Sequence, residues 1–347
     1  MKRQITLKNL TPYMILVFMV VFIAFAFVRG SLLVNKSEKE LNQKEIINEV
    51  EANKYELKEI DVKTGLLKWQ ITAKKGQTEE HLQAALIKDI EAKVYKNNDI
   101  VFELKAPFAR ANSSKKDIQL FGGVSLKNKD SSLLLMANQI VLGMSTSVEA
   151  QNGFNLILKN NGTIAGKTAL INGEQTDIVV YDLENASFND VQLVGKKVVI
   201  KKDKNGNLIN ATVSNGGNII LKNQNNDKLS ASIIIWNKSG EIEAHNNVTF
   251  NSGDKVFKAE NLTIKPDKTI YAQNKILIIH KDTKCYGNSL KYDNVSLITI
   301  NGNPRVIQGG KQITANKIVY DLSTSKVQAI GNVRTSVVQQ KTIGYRG

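Results

Sequence analysis

Few side chains in this chain have reactive chemistry to offer. There are three histidines (His81, His245 and His280), one cysteine (Cys285), and an aspartate that recurs after tyrosine at Asp182, Asp293 and Asp321. The histidines lie far apart and no CxxC or HxxxH spacing accompanies them, so no zinc site is expected. None has a neighbouring acid with a serine or cysteine nucleophile, and each reads as a surface or turn residue. A lone cysteine forms no intramolecular disulfide, and the repeat described next places Cys285 where Leu229, Phe257 and Ile313 stand elsewhere. It therefore reads as a small buried apolar residue. The three aspartates, in YDL, YDN and YDL, read as turn caps that accept backbone N–H groups. GxSxG, Walker A and GxGxxG motifs are missing from the sequence. The expectation is a protein with no catalytic residue, no metal and no cofactor.

The elements that would position these residues are strands. From Tyr55 onward, short runs of alternating apolar and polar residues are punctuated by Asn161-Gly162, Asn205-Gly206 and Ser239-Gly240, the pattern of many strands and tight turns. An internal repeat organises them. Ala231, Ala259, Gly287 and Ala315 are evenly spaced (259 − 231, 287 − 259 and 315 − 287 each give 28). Each is followed at three and five positions by apolar residues: Ile234/Trp236, Leu262/Ile264, Leu290/Tyr292 and Ile318/Tyr320. Each is preceded at two positions by another: Leu229, Phe257, Cys285 and Ile313. The same grammar continues upstream with more drift, through Leu135, Ala137, Ile140 and Leu142, through Ala165, and through Leu193, Gly195 and Val198. Two strands per unit put these residues on one face. A single unit cannot bury that face, whereas a stack buries it continuously. The small residue at each origin suits a bend or a close backbone approach. The expected fold is all-β, an elongated open jellyroll of two-strand repeats. A β-solenoid is the alternative, and a propeller is disfavoured because its blades need about 40 residues.

Residues 9–28 carry no charge and lie between Lys8 and Arg29. Twenty residues at about 1.5 Å each span roughly 30 Å, a bilayer's hydrocarbon core. Lys2, Arg3 and Lys8 precede them, which predicts a cytoplasmic N-terminus with the rest exported. A cleaved signal is the rival reading, since Ala24-Phe25-Ala26 is an A-x-A triplet. The run continues past that triplet without a polar region, which favours a retained anchor. The expected divisions are 1–30 N-tail and anchor, 31–54 stalk, 55–338 β-repeats (55–150 and 151–338), and 339–347 tail. The net charge of +15 suits anionic lipid or acidic glycan, but lysines that cover exposed strands and block edge pairing give the same charge, so charge alone decides nothing. Export removes nucleic acid from the list of partners.

Two segments resemble the LptC and LptA (OstA-like) group of lipopolysaccharide-transport proteins. Leu66-Leu67-Lys68-Trp69-Gln70-Ile71-Thr72-Ala73 after Gly65, followed by Ile118 to Leu126 (IQLFGGVSL), is similar to the opening of LptC. Gly302 to Val306, Ile313 to Asp321 (ITANKIVYD) and Ala329 to Val333 (AIGNV) are similar to the OstA-like motif. The anchor matches LptC, and the extra length resembles an LptA-like bridge added to it. The resemblance implies an inner-membrane, single-pass protein with its bulk in the periplasm. It implies an Lpt-type ABC transporter that delivers lipopolysaccharide or a related glycolipid into an apolar groove. It further implies an LptA-like or outer-membrane partner that receives the lipid. The groove residues expected on this basis are Leu135, Ile140, Leu142, Leu193, Val198, Leu229, Ile234, Trp236, Phe257, Leu262, Ile264, Leu290, Tyr292, Ile313, Ile318 and Tyr320. Tyr55 and Leu57 at one end, and Val333 and Val337 at the other, are expected on edges open to strand addition. A structural or adhesive β-solenoid at the cell surface is the competing function.

Overall fold

The computed structural model describes residues 55–79, 84–112, 117–143, 146–188, 190–223 and 227–337. The expected anchor, stalk and C-terminal tail, and His81, lie outside the described residues. Among the described residues no helix is long and apolar enough to cross a membrane. They form one antiparallel sheet in chain order. Its strands are β1 (Tyr55–Ile60), β2 (Leu67–Glu79), β3 (Ala84–Lys96), β4 (Asp99–Asn112), β5 (Asp117–Asn128), β6 (Leu133–Leu142), β7 (Val148–Leu158) and β8 (Gly162–Ile171). Then come β9 (Asp177–Phe188), β10 (Val191–Lys202), β11 (Leu208–Leu221), β12 (Lys228–Ala231), β13 (Ile233–Asn237), β14 (Ile242–Ser252), β15 (Lys255–Ile264) and β16 (Ile270–His280). The last are β17 (Thr283–Tyr292), β18 (Leu297–Asn301), β19 (Arg305–Gln308), β20 (Lys311–Thr314), β21 (Lys317–Asp321), β22 (Lys326–Ile330) and β23 (Arg334–Val337). Every pairing is antiparallel and mostly between consecutive strands, unlike the parallel coil of a β-helix.

Each long strand crosses a crease at mid-length, so one sheet folds into two facing halves. Every second strand carries left-handed residues there: Asp89, Gly122-Gly123, Asn152-Gly153, Asp182, Asn215-Gly216, Asn246-Asn247, Asn274-Lys275, Gly302-Asn303 and Gly331-Asn332. Glycine and asparagine tolerate this conformation best. The extra residue is a bulge, seen as register shifts at His245/Val248 and Gln273/Ile276, and bulges bend strands. The intervening strand crosses the crease on the small residue of the repeat. A Cβ built on Gly287 would lie 2.4 Å from Ile300 Cγ2, and one on Gly195 would lie 2.4 Å from Val213 Cγ1. The predicted close approach at the repeat origin is therefore real. The register fails once: Ala165 is half-buried and outward, and Gly166 is the origin, followed by buried Ala169 and Ile171. A register shift between Ala165 and Gly166 displaced the pattern by one residue. Asp182 is also corrected, because it sits at a crease with φ 49° rather than capping a turn. Asp293 and Asp321 do cap turns. Asp293 accepts from the backbone of Val295, Ser296 and Leu297, and Asp321 accepts from Ser323.

Candidate functional site

The two halves of the folded sheet face each other with apolar ladders. In the front half, cross-strand neighbours run from Leu57 through Ile71, Ala92, Leu104, Leu126, Leu135, Leu156, Ile164, Ala186, Leu193, Ile219 and Leu229. The ladder continues through Phe250, Phe257, Ile278, Cys285, Val306 and Ile313 to Thr335. In the rear half it runs from Ile87 through Ala109, Leu120, Ile140, Ala150, Ala169, Val180, Val198, Val213 and Ile234. It then passes Ala244, Leu262, Ala272, Leu290, Ile300 and Ile318 to Ala329. A parallel rear rung holds Leu142, Trp236, Ile264, Tyr292 and Tyr320. Every groove residue expected from the sequence lies on one of these three rungs. All are buried except Ile313, which is half-buried next to the last strand. The chain thus builds a continuous apolar interior, and at rest its side chains fill it.

The halves are covalently continuous at the crease and meet at the opposite side in a non-covalent seam. Toward the N-terminus the seam is polar. Trp69 Nε1 donates to the Gly143 carbonyl at 3.3 Å. Asn128 donates to Gln175 Oε1 at 2.8 Å, and Gln175 donates to the Val101 carbonyl at 3.1 Å. Lys96 pairs with Glu174. Lys202 is buried beside them; burial lowers its pKa, and Asp130 and Asp203 oppose that shift. Toward the C-terminus the seam is aromatic. Phe188 stacks on Trp236 at 5.1 Å, and Phe257 meets Tyr292 at 5.8 Å. His280, expected at a surface or turn, is instead buried in the seam. Its Nδ1 lies 2.7 Å from the Tyr320 hydroxyl and its Nε2 lies 3.1 Å from Asp254. Both ring nitrogens of His280 thus have a polar partner within hydrogen-bond distance. Nothing in the sequence marked this pair, which joins positions 40 residues apart. His245, half-exposed, contacts Asn261 as a surface residue does. Cys285 is buried as expected, and burial pushes its thiol pKa up to about 12, so it stays protonated and unreactive.

Among the described residues, both ends of the interior are open. At the N-terminal end β1 pairs there only with β2, and Tyr55 and Leu57 are half-buried against the core. The ring of Tyr55 also lies over Gly76, where a Cβ would meet its Cε2 at 2.7 Å. At the C-terminal end Val327 and Ala329 are half-buried on β22, and no residue of β23 is buried. Val337 is in strand and 76% exposed. Val333 was expected within the last strand, but the break at Gly331-Asn332 leaves it in the corner before β23.

Residues 14–148 match the family model described as lipopolysaccharide-assembly, LptC-related. No curated protein matches the chain. Among solved structures, the chain is similar to LptH from Pseudomonas aeruginosa, described as the LptA-homologous periplasmic component of the lipopolysaccharide transport device. Identity is 18% and the TM-score 0.31, over 33% of this chain and 95% of that one. The family model bears out the sequence resemblance to LptC over residues 14–148.

Proposed function

We propose that this chain is a periplasmic component of lipopolysaccharide export, held in the inner membrane by residues 9–28. It takes lipid from an Lpt-type ABC transporter and passes it along the apolar interior toward the outer membrane. It performs no catalysis. The observation that supports this most is the pair of apolar ladders that run without a polar rung from Leu57 to Ile313 and from Ile87 to Ala329. Such walls suit acyl chains, which gain about 0.8 kcal/mol for each methylene removed from water. Because side chains occupy the interior at rest, acyl chains enter by parting the seam while the crease acts as hinge. The half-buried residues at each end then let the channel continue into partner proteins by strand addition.

The test places a photo-crosslinking amino acid at Leu156 or Ile300 on the ladders, and at Asn155 on the outer face as control, in full-length protein in cells. Lipopolysaccharide adducts at both inner positions and none at Asn155 are expected. Inner positions no more reactive than Asn155 would sink the reading. For the C-terminal edge, Val337→Pro with Val333→Lys should leave the fold intact and abolish copurification of the downstream partner. Persistence of both partner binding and export rules that edge out.

A further inference from the structure

Many surface lysines of the sheet find a carboxylate. Lys105 reaches Glu91, Lys127 reaches Glu103 and Lys265 reaches Glu241, each within 3.2 Å. Lys202 is the opposite case. It follows Val198 and Ile200 on the inward face of β10, where alternation calls for an apolar side chain, and it is only 5% exposed. Among the described residues its ammonium has no hydrogen-bond acceptor and no ion-pair partner. Two carboxylates act on its charge from further off, Asp130 across the seam and Asp203 in its own turn. Both are engaged elsewhere. Asp130 accepts from the backbone of Ser132, and Asp203 accepts from the backbone of Asn205 and Asn207 and from the Asn207 side chain.

Packing does not ask for this charge. The cross-strand neighbour of Lys202 is Leu208, buried and apolar. An unpaired ammonium held out of water costs stability that an apolar chain of similar length would not. Its place is also specific. The Lys202 amide donates to the Thr176 carbonyl, which sets it beside Gln175. The bonds of Gln175 to Asn128 and to the Val101 carbonyl tie the two halves together at that point. Parting the seam there bares the ammonium at the rim of an apolar wall made by Val198, Ile200 and Leu208.

We propose, resting on the lipid reading above, that Lys202 is a headgroup contact of the interior: its ammonium binds a phosphate ester on the sugar of the entering lipid while acyl chains lie along Val198 and Ile200. Lysine binds phosphate as a point charge, and the bond supplies the counter-charge that the resting seam withholds. A lipid without phosphate leaves the ammonium unpaired against its acyl chains. The seam therefore selects phosphorylated lipid by penalising the neutral one.

Both tryptophans of the chain, Trp69 and Trp236, lie in the seam, so intrinsic fluorescence reports its opening. The test titrates full-length protein in nonionic detergent with lipid A and with the same lipid stripped of its phosphates. The phosphorylated form should bind about tenfold more tightly, the worth of one hydrogen bond to a charged group. Lys202→Met should abolish that difference by weakening the phosphorylated form alone. Lys202→Arg should keep it, as should Lys204→Met on the exposed turn, and a thermal melt confirms that each variant is folded. Inorganic phosphate alone should leave the fluorescence unchanged, and a response to it that Lys202→Met removes would make this a site for free anions and overturn the assignment to lipid. Equal binding of the two lipids by the unaltered protein, or a difference that survives Lys202→Met, overturns the role of Lys202 and leaves the lipid reading standing. Failure of both lipids to bind overturns the two together.

Discussion

The strands before β12 and those after β11 build the same interior by different means. In the earlier part the strands cross the crease unbroken, by bulges, and the seam is fastened by polar side chains from the turns. In the later part the crease interrupts several strands outright, between β12 and β13, β18 and β19, β20 and β21, and β22 and β23. There the seam is fastened by aromatic rings and the His280–Tyr320 bond. Two of these breaks fall at Gly-Asn corners, Gly302-Asn303 and Gly331-Asn332, while β14 and β16 still cross by bulges at Asn246-Asn247 and Asn274-Lys275.

The largest expected contrast is between the middle of a ladder and its end. Leu193→Asp places an uncompensated charge on a fully buried rung, and a loss of more than ~4 kcal/mol is expected. Ala329→Asp, half-buried on β22, should be tolerated within about 1 kcal/mol because water reaches it. Denaturant unfolding of both variants measures the difference. Equal losses would mean that the C-terminal end is as closed as the middle.

The seam offers the next contrast. Trp236→Ala removes a ring stacked on Phe188 and should cost about 3–5 kcal/mol. Gln175→Ala removes two hydrogen bonds at the polar end and should cost about 1–3 kcal/mol, chiefly by stranding Asn128. The reverse order would place the stronger fastening at the N-terminal end. At the crease, Gly287→Val forces its side chain against Ile300, and overpacking of this kind costs about 1–3 kcal/mol. A Cβ on Gly123 meets nothing within 4 Å, but its φ is +92°. Gly123→Ala should therefore cost only the backbone strain, about 1–3 kcal/mol, with no change in packing around it. A methyl-resolved NMR spectrum separates the two causes, since only the valine should shift the signals of Ile300.

The repeat made most of this architecture readable. Apolar residues at fixed offsets from Ala259, Gly287 and Ala315 predicted the inward rungs, because alternation on a strand leaves little choice of face. Ala165 misled because a one-residue bulge is invisible where two small residues, Ala165 and Gly166, stand together. The seam was not readable at all. Its contacts, such as Trp69 with Gly143 and His280 with Tyr320, join residues 74 and 40 positions apart on different halves of the fold. No local pattern encodes such pairs. Val333 was misplaced for a related reason: the residues after Gly331-Asn332 alternate well enough for a strand, but the corner consumes the first of them.

The smallest expected effect compares one turn from each part. Asp61, before β2, has its pKa lowered to about 2, first by the Lys68 ammonium 3.0 Å away and then by the backbone of Thr64 and Lys63. Asp321, after β21, is also lowered to about 2, first by the Ser323 hydroxyl and with no charged partner among its causes. Both carboxylates are more acidic in the folded protein than the ordinary 3.8. The unfolded chain therefore binds protons first as pH falls. Each group's contribution is complete above about pH 4 and is lost as pH drops through about 2. Salt should separate them. At about 1 M ionic strength the screening length is near 3 Å, so the Lys68 attraction weakens and the Asp61 pKa climbs back toward 3.8. Asp321 is held by a neutral hydroxyl and by backbone N–H groups, so its titration should not move. Carboxyl-detected NMR titrations at low and high salt read both groups in one sample. If Asp321 shifts as far as Asp61, its depressed pKa comes from the basic field of the whole +15 chain and not from the turn that it caps.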